Sequence, residues 1–288
     1  MKEIVVLSGK GGTGKTTMVA SFAALAKNKV LCDCDVDAAD LHLLLKPKIK
    51  ETHEFKSGQT AIINEKLCTR CGLCEEVCRF EAIKNLKVDP TACEGCGFCA
   101  RVCPENAITM EENLAGHWFI SDTKYGPLVH ARLGIAQENS GKLVNVVRQN
   151  ARSIVHKEEF NYIITDGPPG IGCPVISSLS GANLALLITE PTLSGMHDLE
   201  RVIGVCQHFG VPALVCINKY DLNEENSQLI TKSCLHQGIE VVSRIPYETK
   251  VSESIAEGVP LVEYIDNGAS QEIRSLWQTL SNVVRANQ

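Results

Sequence analysis

Two stretches of the sequence carry side chains whose types and spacing are suited to chemistry. The pattern Cys-x2-Cys-x2-Cys-x3-Cys occurs twice, beginning at Cys68 and again at Cys93. A glycine-rich segment with the sequence GKGGTGKTT occupies residues 9–17. Thiolates at the first spacing hold iron-sulphur clusters, and glycine loops of the second kind hold phosphate groups. The sequence therefore predicts two different kinds of site in one chain.

The duplicated cysteine pattern predicts two 4Fe-4S clusters. In the bacterial two-cluster arrangement, the fourth cysteine of each run ligates the cluster of the other run. One cluster is then predicted on Cys68, Cys71, Cys74 and Cys103, and the other on Cys93, Cys96, Cys99 and Cys78. Zinc is the competing metal, but its sites usually pair two Cys-x2-Cys units across a longer gap. Electron transfer is the leading role for the clusters, and a purely structural role stays open.

The glycine-rich segment fits the pattern Gly-x4-Gly-Lys-Thr between a predicted strand and a predicted helix. Glycines at these positions let backbone N–H groups approach a phosphate, while Lys15 supplies a positive charge and Thr16 a hydroxyl for Mg²⁺. A glycine turn without a ligand is disfavoured by the strand-to-helix context. The predicted phosphate-binding residues are Gly11, Gly12, Thr13, Gly14, Lys15, Thr16 and Thr17.

Apolar segments alternate with amphipathic ones along much of the chain. Strands are predicted at 4–7, 30–33, 162–166, 184–189 and 213–218, and helices at 16–27, 143–156, 195–208, 224–237 and 270–285. Near-continuous apolar strands separated by helices are typical of a mostly parallel sheet covered by helices on both faces. The predicted fold class is therefore α/β, with a P-loop NTPase arrangement.

The alternation stops between about residues 46 and 127, where cysteines, glycines and short polar segments replace the long helices. We interpret residues 51–126 as an inserted small α+β domain of the bacterial ferredoxin type. Residues 1–50 and 127–288 then form the nucleotide-binding domain.

Polar residues follow several of the predicted strands. Asp33, Asp35 and Asp166 lie at the carboxyl ends of predicted strands, which is where ligands bind in open α/β sheets. Further along the chain, Asn218 and Lys219 end one apolar strand, and Pro246 and Tyr247 end another. The alternative for the last four residues is simple turn formation.

The form Lys-Gly-Gly-x-Gly-Lys-Thr-Thr, which begins at Lys10, resembles the deviant Walker motif of the MinD, ParA and nitrogenase iron protein superfamily. The resemblance extends to Asp33-Cys34-Asp35 and to the Asp166-Gly167-Pro168-Pro169-Gly170 segment. It implies ATP or ADP with Mg²⁺ as cofactors, slow ATP hydrolysis, and a homodimer in which nucleotide is sandwiched between two copies. The implied catalytic residues are Lys10, Lys15 and Asp35; the implied Mg²⁺ site is Thr16, Asp35 and Asp166; the implied adenine contacts are Asn218, Lys219, Pro246 and Tyr247.

Composition narrows the range of partners. The chain has 28 Lys+Arg against 34 Asp+Glu and a net charge of −6, so nucleic acid is not an expected partner. No apolar run reaches the roughly 18 residues of a membrane span, and the C-terminal segment lacks a basic face, so membrane binding is not expected either. We expect a cytoplasmic protein.

Three functions follow from the two predicted sites. The first is an ATP-hydrolysing iron-sulphur protein that couples nucleotide state to electron transfer through two 4Fe-4S clusters, with an unidentified redox partner. The second is an ATP-dependent carrier or assembly factor that delivers clusters to a client protein. The third is a regulator similar to ParA or MinD, in which the clusters are structural or sense redox state.

Overall fold

The computed structural model describes residues 1–134 and 139–286. The chain divides into two compact units, and each is described by itself. The first unit comprises Met1–Thr52, Trp118–Arg132 and Ser140–Gln288, and the second comprises His53–His117 and Leu133–Asn139.

Eleven strands are formed by the described residues: β1 Lys2–Ser8, β2 Lys29–Asp33, β3 Lys48–Ile63, β4 Ile83–Lys84, β5 Lys87–Val88, β6 Ile108–Thr123, β7 Gly126–Leu133, β8 Tyr162–Pro169, β9 Leu184–Thr189, β10 Ala213–Asn218 and β11 Glu240–Ile245. The main sheet has the order β11-β10-β9-β1-β8-β2-β7-β6-β3. The pairs from β11 to β7 are parallel. The remaining two strands, β4 and β5, form a small antiparallel pair.

Eleven α-helices accompany these strands in the part of the chain that the structure describes: α1 Lys15–Leu25, α2 Leu41–Leu45, α3 Leu73–Glu76, α4 Phe98–Val102, α5 Ser140–Glu158, α6 Cys173–Leu179, α7 Leu193–His208, α8 Glu224–His236, α9 Lys250–Glu257, α10 Leu261–Tyr264 and α11 Gly268–Ala286. No helix within residues 1–134 and 139–286 is both long enough and apolar enough to cross a membrane.

The central strand β1 explains why helices cover both faces of the sheet. Successive side chains of a strand point to opposite faces. Ile4 and Val6 pack in one buried cluster with residues of α1 and α11, whereas Val5 and Leu7 pack in a second cluster with residues of α6 and α7. Because every one of these four side chains is fully buried, both faces of β1 must be covered. The predicted parallel sheet between two helical layers is thus confirmed.

Two long strands between residues 46 and 127 were not predicted from the sequence. Where short polar segments are expected, β3 and β6 each run for 16 residues. Most side chains of β3 are exposed, so the strand lacks the alternation of apolar and polar residues from which a strand is predicted.

Candidate functional site

The glycine loop connects β1 to α1, and its backbone requires glycine at two positions. Gly14 adopts φ +94°, and a Cβ there would lie 2.5 Å from Asn218 Nδ2. At Gly9 a Cβ would lie 2.4 Å from Asp198 Cβ. Gly14 also precedes α1, so the free N–H groups of the first helical turn face the loop. This is the local geometry that binds phosphate.

A cavity of about 640 Å³ opens at the carboxyl ends of the parallel strands. Its volume falls within the usual range for small-molecule sites. The predicted site residues that line it are Gly11, Gly12, Gly14, Lys15, Thr16, Thr17, Asp35, Asn218, Lys219, Pro246 and Tyr247. Thr13 is buried instead, and its backbone carbonyl accepts a hydrogen bond from Asn218 Nδ2 at 2.8 Å. The structure therefore brings residues from distant parts of the sequence around one cavity.

Two carboxylates at the end of β2 lie in different environments: Asp33 is the last residue of the strand, and Asp35 follows it. Asp33 is buried and accepts hydrogen bonds from the backbone N–H groups of Asp35 at 3.2 Å and Leu41 at 3.3 Å. Burial raises its carboxyl pKa well above the usual value, with a further contribution from Asp166. Asp35 lines the cavity, and its pKa is raised by burial while Lys15 opposes the shift. Asp33 thus shapes the loop, and Asp35 is the carboxylate that a ligand would meet.

Asp166 is almost completely buried, with 1% of its surface exposed. Among the described residues, no group makes a hydrogen bond of ordinary geometry to either of its carboxylate oxygens. Burial raises its pKa to about 7, and the opposing effects are those of the Lys15 ammonium and the Thr16 hydroxyl. Mg²⁺ prefers oxygen ligands, including those of carboxylate and hydroxyl groups. The Asp166 carboxylate, which lacks a hydrogen bond of ordinary geometry, therefore suits the predicted Mg²⁺ site.

Lys10 does not line the cavity. Its Nζ lies 3.2 Å from Glu190 Oε2 and 3.4 Å from Thr192 Oγ1. The same carboxylate pairs through Oε1 with Lys219, whose Nζ lies 3.5 Å from the carbonyl oxygen of Gly12. Glu190 was not predicted from the sequence. Its position directly after an apolar strand was the available signal.

In the second unit, the eight cysteines of the two runs line two small cavities. One cavity is lined by Cys68, Cys71, Cys74 and Cys103, and the other by Cys78, Cys93, Cys96 and Cys99, together with apolar neighbours. The two sets of cysteines are the same as those in the sequence prediction, in which the fourth cysteine of each run joins the first three cysteines of the other run. Two sulphurs of the first group also accept backbone hydrogen bonds, Cys68 from Arg70 N–H at 3.4 Å and Cys103 from Ala107 N–H at 3.3 Å.

The two cysteine runs repeat in three dimensions as well as in sequence. Residues 25 positions apart share the left-handed backbone conformation: Arg70 (φ 58°) and Gly95 (φ 64°), Gly72 (φ 79°) and Gly97 (φ 69°), Glu81 (φ 51°) and Asn106 (φ 49°). The halves also exchange hydrogen bonds, because Asn64 N–H donates to the Ala107 carbonyl and Asp89 N–H to the Ala82 carbonyl. This exchange brings the end of each run toward the beginning of the other.

The thiols fit an iron-sulphur cluster in chemical type and in grouping, since thiolates are its usual ligands. As the side chains lie, no three His, Cys, Asp or Glu residues within the described ranges converge closely enough to hold a single metal ion. The cluster ligands remain a prediction from the sequence.

A parallel sheet with a glycine loop at its carboxyl edge defines a P-loop nucleotide-binding protein. The family model described as the CobQ/CobB/MinD/ParA nucleotide binding domain matches residues 4–261, and the chain belongs to this family. An uncharacterised protein of Methanocaldococcus jannaschii is 33% identical over 285 residues, which are 98% of this chain and 97% of the relative. A putative septum site-determining protein MinD of Chlorella vulgaris is 26% identical, covering 90% of this chain and 77% of its own.

Solved structures share the fold. MinD of Pyrococcus horikoshii in complex with Mg-ADP superimposes with a TM-score of 0.62 at 17% identity, covering 98% of this chain and 96% of that one. The MinC:MinD complex of Aquifex aeolicus gives a TM-score of 0.60 at 22% identity, with coverage of 98% and 96%.

Proposed function

We propose that the chain is an ATP-driven switch of the MinD/ParA kind, and that its second unit carries two 4Fe-4S clusters with a structural or redox-sensing role. The observation that carries the first part is the cavity in which the glycine loop, Asp35 and the loops after β10 and β11 meet. Family membership supports ATP as the nucleotide, because relatives of this kind include a MinD structure complexed with Mg-ADP.

Each group around the cavity has a physical role in this proposal. The glycine loop and the start of α1 would hold the phosphates, with Lys15 countering their charge. Thr16, Asp35 and Asp166 would hold Mg²⁺, which supplies further positive charge to the developing transition state. Asp35 would orient the attacking water. Proposed adenine contacts come from Asn218, Lys219, Pro246 and Tyr247, of which Tyr247 is half exposed.

Pairing of two chains is the proposed output of ATP binding. Lys10 belongs to the glycine loop but does not line the cavity, so it is available for a role other than binding its own nucleotide. By the family resemblance, that role is contact with the phosphates of a partner copy. Hydrolysis would remove the γ-phosphate and release the pair.

The second part rests on the two groupings of four cysteines. Cys68, Cys71, Cys74 and Cys103 would hold one cluster, and Cys93, Cys96, Cys99 and Cys78 the other. The three-dimensional repeat supports this division, because it exchanges the ends of the two runs. When bound, such clusters supply folding energy to a small domain and one-electron redox chemistry.

A second candidate function is electron transfer gated by ATP, and the pair of cysteine-lined cavities is what favours it. The Chlorella vulgaris relative is a putative septum site-determining protein and both solved structures contain MinD, so these three favour the switch. Delivery of clusters to a client has no separate support in the structure.

Anaerobic purification followed by iron counting and ATPase assays tests both parts. We expect about eight irons per chain, and ATP hydrolysis that Lys15→Ala abolishes. Cys71→Ser should lower the iron content toward about four, whereas Cys173→Ser, at another exposed cysteine outside the runs, should leave it unchanged. Absence of ATP binding would contradict the switch, and absence of iron would contradict the clusters.

Assays in the oxidised and the reduced state separate the candidate roles. A rate that differs between the two states supports redox sensing, and an equal rate supports a structural role. Cluster potentials that change when Mg-ATP binds would favour gated electron transfer instead.

A further inference from the structure

Glu190 lies directly after β9 and joins two lysines from different loops. Its Oε2 is 3.2 Å from Lys10 Nζ, and its Oε1 pairs with Lys219 Nζ. The Glu190 side chain is only 14% exposed, whereas those of Lys10 and Lys219 are 31% and 29% exposed. The carboxylate is thus a largely buried acceptor shared by two cations at the edge of the nucleotide cavity.

The surroundings fix this acceptor in place. Thr192 Oγ1, the second acceptor for Lys10, also receives the Gly195 N–H at 3.0 Å and so caps the start of α7. A Cβ on Gly195 would lie 2.5 Å from the Glu190 carbonyl oxygen, so the first turn of α7 packs directly on the backbone of Glu190. Lys10 is therefore held by a rigid helix start.

Lys219 carries the connection to the nucleotide cavity. Its backbone has φ +56°, a left-handed conformation that is uncommon for a residue other than glycine. Its side chain lines the nucleotide cavity and also a neighbouring cavity that Glu190 lines. Through Nζ it reaches the carbonyl oxygen of Gly12 at 3.5 Å. Glu190 consequently links Lys10 to Lys219, a residue that lines the nucleotide cavity.

We propose that Glu190 is a positioning residue that keeps Lys10 on its own chain and thereby sets the threshold for ATP-dependent pairing. This inference rests on the proposed function, in which Lys10 contacts the phosphates of a partner copy. Phosphate oxygens and the Glu190 carboxylate then compete for the same ammonium group. The energy needed to leave Glu190 opposes dimer formation until ATP supplies a stronger anionic site.

The substitution Glu190→Gln removes the charge and preserves the shape. Measured by sedimentation with Mg²⁺ and a non-hydrolysable ATP analogue, the dimer dissociation constant should fall about fivefold, which corresponds to about 1 kcal/mol. We expect only a fivefold change in the dissociation constant because Lys10 is partly exposed, and ion pairs at exposed sites contribute little. Glu190→Asp keeps the charge on a shorter side chain and should lower the dimer dissociation constant by less. Glu200→Gln on the exposed face of α7 is the control, and thermal melting verifies folding of each variant.

Lys10→Ala shows whether the effect passes through Lys10. In that background Glu190→Gln should neither restore nor strengthen pairing. A gain that persists there would assign the effect to Lys219 and overturn the proposal, as would an unchanged or weaker dimer for Glu190→Gln alone. If the wild-type chain does not dimerise with the analogue, the proposed dimer is wrong and this inference is wrong with it. If the wild type dimerises and Glu190→Gln has no effect, only this inference is wrong.

Discussion

Replacing Asp166 with asparagine is expected to stabilise the nucleotide-free protein and to abolish Mg²⁺-dependent nucleotide binding. The carboxylate is 1% exposed and accepts no hydrogen bond of ordinary geometry from the described residues, so burial of its ionised form costs more than the nearby Lys15 and Thr16 offset. A neutral amide at this position would resemble the protonated carboxyl group and avoid this cost. The same change would remove a carboxylate from the proposed metal site.

The magnitude follows from the pKa. Burial raises the pKa of Asp166 from 3.8 to about 7. A difference of this size corresponds to about 4 kcal/mol. We expect a gain in unfolding free energy of about 2–4 kcal/mol because Asp33, whose Cα pairs with that of Asp166 across β2 and β8, titrates with it. Because the pKa is raised on folding, the folded state retains its proton between pH 4 and pH 7. The cost of ionisation is therefore absent below pH 4, grows over this interval and is complete above pH 7.

Urea unfolding at a series of pH values measures this effect. The difference in unfolding free energy between Asp166→Asn and the wild type should be small near pH 4 and largest near pH 8. The exposed Asp266→Asn serves as the control and should show no such trend. A variant that is less stable than the wild type at pH 8, or that still binds nucleotide in a Mg²⁺-dependent way, would refute the reasoning.

Three further predictions concern the glycine loop and the buried charged side chains of β1 and β2. Gly14→Ala should weaken nucleotide binding at least about tenfold in a fluorescent-ADP titration, because its φ of +94° and the 2.5 Å approach to Asn218 oppose a Cβ; unchanged affinity would contradict this geometry. Glu3→Ala should lower the unfolding free energy by about 3–5 kcal/mol, since it leaves the buried Arg148 guanidinium without its carboxylate; a loss below about 1 kcal/mol would be inconsistent with a buried pair. Burial lowers the pKa of Lys29 from 10.5 to about 8. The unfolding free energy of the wild type should therefore rise by about 3 kcal/mol relative to that of Lys29→Met as the pH rises from 8 to 10.5. A constant difference between the two proteins over that range would argue against the buried ammonium.

Much of the nucleotide-binding unit could be predicted because its local signals are strong. The predicted strands at 184–189 and 213–218 have the same bounds as β9 and β10. Their apolar side chains are buried on both faces, which gives a continuous apolar run in the sequence. The glycines and Lys15 likewise fix the turn between β1 and α1. These are features that a few neighbouring residues determine.

Features that depend on tertiary contacts were missed. The exposed strand β3 has no apolar pattern, and its length depends on pairing in a sheet. Glu190 gains its importance only when the loops that carry Lys10 and Lys219 meet. The full burial of Asp166 also depends on the elements packed around β8. No short stretch of sequence encodes any of these three features.

The molar mass of the anaerobically purified chain, measured by light scattering with Mg²⁺ and either a non-hydrolysable ATP analogue or ADP, tests the central claim most directly. A nucleotide-driven switch predicts twice the mass of one chain with the analogue and the mass of a single chain with ADP. The same mass with both nucleotides would contradict it.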